Sequence, residues 1–314
     1  NTYDRHIGAT LDRNKKIELW GLQARVYAEE VEDVDRAIDS YQNIVDLDPT
    51  NIGALDALAK LYEKQGDAQR AIDHMTRVAE LTSDGKQKVE IYYRIGKQLD
   101  EKLGDRRAAQ DNFERALDLD PNHQPTLAAL RTIAADAADW DRAARYLDQE
   151  QLVTEAPRLR AKLLVELGKM REEMLGEHDL AIQAYELAQQ SDPDNEDAAL
   201  PLVEEYAQRS EWERAEPLAE MLAKKAGKRE RGEQHKLQNL YGKVLAARGN
   251  FQGALKAYQA ANQLDLTNQE TIRGLAEASF NLQDWAGALT NFQKVLTALE
   301  EHDTEQRAYV YFKL

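Results

Sequence analysis

Histidine is the side chain best able to bind a metal or move a proton near neutrality, and its placement here argues against both. His6, His74, His123, His178, His235 and His302 stand singly along the chain. No H-x3-H or H-E-x2-H pair sets two imidazoles on one helix face, so no metal site is expected. The sequence also lacks the phosphate loop G-x4-G-K-[ST], a G-x-G-x2-G after a strand, and the nucleophile elbow G-x-S-x-G. There is no cysteine, which removes disulfides, thiolate zinc sites and thiol nucleophiles. Carboxylates are plentiful, with 57 Asp and Glu, yet no pair stands apart from helix-surface background as an acid/base couple. No catalytic residue and no cofactor is expected.

What remains is recognition. The 314 residues carry 41 Lys and Arg against those 57 acids, a net charge of −16. That balance disfavours nucleic acid and anionic membranes as partners of the whole chain. No apolar run nears the roughly 18 residues of a membrane span, and no signal peptide is visible. The absence of cysteine fits either redox environment; the cytoplasm is the favoured compartment. One stretch inverts the charge. Ala223–Lys236 carries Lys224, Lys225, Lys228, Arg229, Arg231 and Lys236 against Glu230 and Glu233. Without interleaved aromatics it suits a solvated joint or an acidic protein surface better than single-stranded nucleic acid.

The elements that must position these charges are helical and repeated. In Gly104–Asn122 the residues Ala109, Phe113 and Ala116 form one stripe of a 3.6-period helix, and Pro121 stops it. Small, aromatic, small along a stripe describes a helix crossed closely at two points. With the first alanine as a ruler, equivalents fall at Ala37, Ala71, Ala109, Ala143, Ala181, Ala215, Ala254 and Ala288. Four residues past each stand Tyr41, Met75, Phe113, Leu147, Tyr185, Ala219, Tyr258 and Phe292, seven of them large and apolar or aromatic. Spacings alternate between 34 and 38 or 39, so the working unit is a pair of about 72 residues. Pro49, Pro121 and Pro193 mark the same 72-residue period, as do Trp140, Trp212 and Trp285 to within one residue. The tryptophans open even second helices and are expected to be packing wedges. The longer spacing is expected to lie in polar joints at Thr82–Lys88, Thr154–Arg158, Ala223–His235 and Thr297–Gln306, with the array running on through each.

The pattern resembles the tetratricopeptide repeat, W-x2-L-G-x2-Y followed by A-x3-F and P. Its first half appears as Tyr92, Ile95, Gly96 and Leu99; as Leu164, Leu167 and Gly168; as Leu55, Leu58, Ala59 and Tyr62; and as Trp20, Gln23, Ala24 and Tyr27. The sixth repeat departs most, with Ala219 at the aromatic position and Pro217 inside its second helix. The resemblance implies an all-α, right-handed superhelical solenoid of antiparallel helix pairs. Residues 1–16 read as the end of a preceding repeat or a flank. Residues 17–300 read as eight repeats in four pairs, and 301–314 as the start of a truncated ninth. The aromatic run Tyr309, Tyr311, Phe312 and the lack of a polar cap lead to the expectation of a longer natural chain, and of self-association through the C-terminal edge.

The resemblance further implies that first helices line a concave face that receives a protein or peptide. Inward residues lie one and five positions after the leading large residue. Five positions on, the repeats show Arg25, Lys60, Lys97, Thr132, Lys169, Glu204, Lys243 and Glu277; Tyr93, Val165 and Leu200 occupy the neighbouring inward place. The expected partner-binding set is therefore Tyr93, Lys97, Val165, Lys169, Leu200, Arg25, Lys60 and Lys243, suited to a partner with acidic residues among hydrophobic ones. Glu29, Glu101 and Glu173 lie four residues beyond Arg25, Lys97 and Lys169, so ordinary helix-surface pairing would also explain part of the ladder. The carboxylate clamp of chaperone-type relatives is not expected, because Asp56 and Ala57 stand where its polar donors would be. The function expected is an interaction scaffold. The alternatives are a regulatory or substrate-recruiting arm of a larger enzyme, and a self-assembling scaffold.

Overall fold

The computed structural model describes residues 2–299 and 303–314, and every regular element among them is helical. The short helix α1 (Thr2–Ala9) precedes eight helix pairs. These are α2 (Arg13–Arg25) with α3 (Val34–Leu47), α4 (Ile52–Gln65) with α5 (Ala68–Leu81), α6 (Gly85–Gln98) with α7 (Arg106–Leu119), and α8 (Gln124–Asp136) with α9 (Trp140–Val153). The series continues with α10 (Pro157–Met170) and α11 (His178–Ser191), α12 (Glu196–Gln208) and α13 (Trp212–Lys225), α14 (Arg231–Ala247) and α15 (Phe251–Leu264), then α16 (Gln269–Asn281) and α17 (Trp285–Ala298). Helix α18 (Thr304–Lys313) closes the series. Contacts divide the chain into two compact units, Asn1–Thr154 and Glu155–Leu314. The division falls at one of the joints through which the array was expected to run on. Within each unit a helix packs on its pair mate and on the helix that follows, which is the architecture of a tetratricopeptide-type all-α solenoid.

Local chemistry makes the pairs. Each first helix ends in one left-handed residue: Glu32, Gly66, Gly104, Ala138, Gly176, Ser210, Gly249 or Gln283. A polar cap follows in most repeats. Asp33, Asp67, Asp105, Asp139, Asn250 and Asp284 each accept from the backbone N–H three residues on, at 3.0–3.2 Å. That satisfies one of the orphan donors at a helix start. Reversal and capping in three residues fold the second helix straight back on the first.

Between paired helices the contact is small against large. All eight ruler alanines are buried. Of the residues four positions on, all are buried except Tyr41, which is half-buried. The Phe113 ring lies so close on Gly96 that a Cβ there would sit 2.5 Å away, and Tyr185 lies on Gly168 at 2.6 Å. Tyr258 fills the space left by both Gly242 and Gly274. Burial pushes the Tyr185 phenol up to about 12, so it stays neutral within the core. The sixth repeat keeps this plan: α13 runs through Pro217, and Ala219 is buried.

Two expectations are corrected. The extra residues of the longer period do not lie in the joint Thr82–Lys88 or in Thr154–Arg158, since α6 begins at Gly85 and α10 at Pro157. They lengthen the first helices of the first, third and fifth repeats, which end in wide π turns at Val26–Glu30, Leu99–Leu103 and Arg171–Leu175; in the seventh, α14 runs to 17 residues and the joint before it holds a short 3-10 turn, Ala226–Lys228. The joint Thr297–Gln306 falls partly outside the described residues, as does His302. Nor do the tryptophans behave alike. Trp140 and Trp212 are half-buried, whereas Trp285 is 60% exposed and meets Phe280 edge-on at 5.5 Å. Beside Trp212 stand Ala247 and Arg248 at the end of the 17-residue α14.

Candidate functional site: the first-helix faces

The charged positions of the first helices differ between the units. In the first, Lys60 Nζ lies 2.6 Å from Asp56 on its own helix. Arg94 of α6 reaches back to α4, with Nη1 3.3 Å from Asp56 and Nη2 2.6 Å from Glu63. Gln98 donates to the other Glu63 oxygen at 3.3 Å. Lys97 lies 3.5 Å from Glu101, and Arg25 is exposed, its charge near the Tyr41 phenol. Tyr93 is half-buried, its ring 5.9 Å from Phe113 and edge-on to His123 at 5.4 Å. The fold holds that aromatic in place, with only part of it on the surface.

In the second unit Lys169, Glu204 and Lys243 are exposed and have no ion-pair partner among the described residues. The pairs of Arg25 with Glu29 and Lys169 with Glu173 do not form among the described residues, whereas that of Lys97 with Glu101 does, although all three glutamates lie in π turns. Glu277 is paired with Arg273 at 3.1 Å. Val165, expected to be an inward anchor, is only 6% exposed; it lies in the core of α10 and has almost no surface to give a partner. Leu200 is half-buried and lines a groove of about 700 Å³ together with Glu204, Asn239, Leu240 and Lys243. Helices α12 and α14 form its walls, and the turn before α16 closes one end.

The groove has a buried polar floor that the sequence did not single out. His235 Nε2 lies 3.0 Å from Thr271 Oγ1, and that hydroxyl lies 2.9 Å from Asn239 Oδ1 and 3.1 Å from Asn268 Oδ1. Asn239 is 6% exposed, yet its Nδ2 has no protein partner among the described residues and is not enclosed. Its N–H groups therefore reach the groove. Lys236, Asn239 and Lys243 stand at i, i+3 and i+7, one stripe of α14. Counting inward positions could have flagged Asn239, since it occupies the place that Tyr93 and Val165 take in their repeats.

Half of the basic joint's cations are paired within the chain. Lys224 pairs with Glu220, Lys225 with Asp194, and Arg229 with Glu196 at 2.6 Å; Arg231 donates to the carbonyl of Leu264. Of the histidines, His74 stacks on Tyr62 with rings 5.5 Å apart and 2° from parallel. Burial, followed by the nearby Arg77 charge, holds it below the usual histidine range. His178 differs: Nδ1 lies 2.8 Å from Glu172 and Nε2 2.9 Å from the buried Glu205, which also contacts Arg209. Those two carboxylates, Glu205 foremost, raise its pKa. One 72-residue period earlier stands Arg106, bridging Asp100 and Asp136 at 3.7 and 2.6 Å. No three His, Asp or Glu side chains gather to hold a metal among the described residues, and no helix of theirs is long and apolar enough to cross a membrane.

Two family models, both described as tetratricopeptide repeat, match residues 54–89 and 89–123. Among solved structures, the chain is similar to the MamA protein at 21% identity, covering 57% of this chain and 92% of that one, with a TM-score of 0.44. It is similar to the C-terminal part of a TPR repeat-containing protein from Cytophaga hutchinsonii at 18% identity, covering 81% and 98%, with a TM-score of 0.45. It is also similar to YrrB, described as a TPR protein with an unusual peptide-binding site, at 16% identity, covering 63% and 96%, with a TM-score of 0.43. No protein among those of curated function matches the chain.

Proposed function

We propose that this tetratricopeptide repeat protein, an interaction scaffold by its repeats, receives a protein or peptide on its concave first-helix face, with the groove of the second unit as the principal seat. The observation that carries this is the coincidence, in one groove, of half-buried Leu200 and Leu240 with Glu204 and Lys243, two charges left unpaired by the fold. Apolar floor area supplies affinity, and charges at its margin set orientation and on-rate. Lys60, Lys97 and Arg25 stand on first helices of the first unit, where the two lysines are already paired. The test is capture of the partner on immobilised chain, then measurement of its Kd for Leu200→Asp combined with Lys243→Glu. A loss of tenfold or more with unchanged helicity supports the seat; unchanged affinity moves the interface elsewhere.

A second reading has its own observation. Phe312 is 84% exposed and Tyr311 57% exposed on α18. An uncovered apolar helix face suits self-association. Sedimentation of the chain before and after Phe312→Ser with Tyr311→Ser decides it: equal masses remove this edge as an assembly surface.

A further inference from the structure

Resting on the groove as the partner's seat, we infer that the second unit reads an extended segment whose charges alternate acidic, basic, acidic at every third residue. The five-on position runs Lys169 on α10, Glu204 on α12 and Lys243 on α14. The sign reverses at each first helix, and none of the three is neutralised by an ion pair among the described residues. In the first unit the same position is occupied by Arg25, Lys60, Lys97 and Thr132, with no alternation.

Spacing converts this sign pattern into a sequence pattern. Packed helices lie about 8–10 Å apart, and an extended chain advances about 3.3 Å per residue. One charge per first helix therefore corresponds to one charge per three residues of a segment crossing α10, α12 and α14 in turn. An acidic residue faces Lys169, a basic one faces Glu204, and a second acidic one faces Lys243. Between Glu204 and Lys243, apolar side chains of the segment meet Leu200 and Leu240. The partnerless Nδ2 of Asn239 lies one turn before Lys243 on the same stripe. It offers N–H donors to a carbonyl of the crossing main chain, a group that must be satisfied once water leaves the groove. Like charges opposed across the groove are strongly unfavourable, so a segment with the inverse pattern is rejected and a run of acids is rejected at Glu204.

The test uses three designed peptides, end-blocked and of equal length, titrated against the whole chain by fluorescence anisotropy. The first carries Asp, Lys, Asp at every third position, with leucine and alanine between. The second carries Lys, Asp, Lys at the same positions. The third has the composition of the first with its charges gathered at one end. The first should bind at least tenfold more tightly than either other. The triple variant Lys169→Glu, Glu204→Lys, Lys243→Glu, with its helicity checked by circular dichroism, should transfer the preference to the second peptide. Equal binding of all three, lost with Leu200→Asp, overturns the alternating pattern and leaves the groove as the seat. A preference that survives the triple variant overturns the pattern as well. Binding of none, or binding indifferent to Leu200→Asp, overturns both.

Discussion

The two units carry the same repeat and arrange its surface charge differently. In the first, a lysine at the inward position is answered by a carboxylate on its own helix, and Arg94 ties α6 back to both Asp56 and Glu63. In the second, Lys169, Glu204 and Lys243 have no ion-pair partner among the described residues, and the last two line a groove. Equal residue types at equal spacing thus serve two ends. One face braces neighbouring repeats; the other keeps its charges without ion-pair partners among the described residues. Net charge and composition hide this, because the distinction lies in which cation has a carboxylate within reach.

The units should agree where packing is concerned, and the largest expected effects test that agreement. Phe113→Ala and Tyr185→Ala remove equivalent rings from the two units, each seated on a first-helix glycine. Losses of about 3–5 kcal/mol are expected in both, as for large-to-small core changes, read from chemical denaturation. Ala109→Leu and Ala181→Leu, at fully buried equivalent positions, should each cost about 1–3 kcal/mol by overpacking. A clear inequality between units in either pair of variants would show that their helix crossings are not equivalent.

Charge reversal should then separate the units. Lys169→Glu with Lys243→Glu is expected to weaken partner binding at least tenfold, about 1.4 kcal/mol, and more at low salt. Lys60→Glu with Lys97→Glu should change it less than twofold while loosening a local network, since exposed pairs contribute little. Equal effects of the two double variants would erase the difference between the faces.

The smallest effect concerns acidity. Arg106 and His178 hold equivalent bridges between a π turn and the next first helix, but only the histidine titrates near neutrality. Its pKa is raised in the folded chain, by Glu205 first and then Glu172. The contribution is therefore fully present below the unfolded value of about 6.5 and lost as pH rises through the folded value. Thermal melts should show the second unit losing up to about 1 kcal/mol between pH 6 and pH 8.5 on this account. His178→Arg should abolish that loss, and Arg106→His should introduce one in the first unit. A pH response unaltered by His178→Arg would assign it to other groups.

Much of the fold was legible because a repeat repeats its constraints. Burial of the ruler alanines follows from small residues recurring at fixed phase. The π turns were not legible, since four extra residues look the same in sequence whether they widen a helix end or lengthen a joint. Val165 shows another limit. A position inferred to face a partner can be covered by its own neighbours, and an apolar side chain gives no sign of which. The tie of Arg94 to Asp56 and Glu63 is a cross-stack fact, set by side chains on different helices. Asn239 holds an inward position that counting could have flagged, but its buried Thr271 contact and its open Nδ2 are visible only in the structure.

The central claim is that the partner sits on the first-helix face of the second unit. Site-specific photocrosslinking tests it most directly. A photoreactive residue is placed at position 243, and in a separate chain at position 60, and each is irradiated with the captured partner bound. The account predicts a covalent adduct from position 243, at a yield well above that from position 60. An adduct from position 60 with none from position 243 would contradict it.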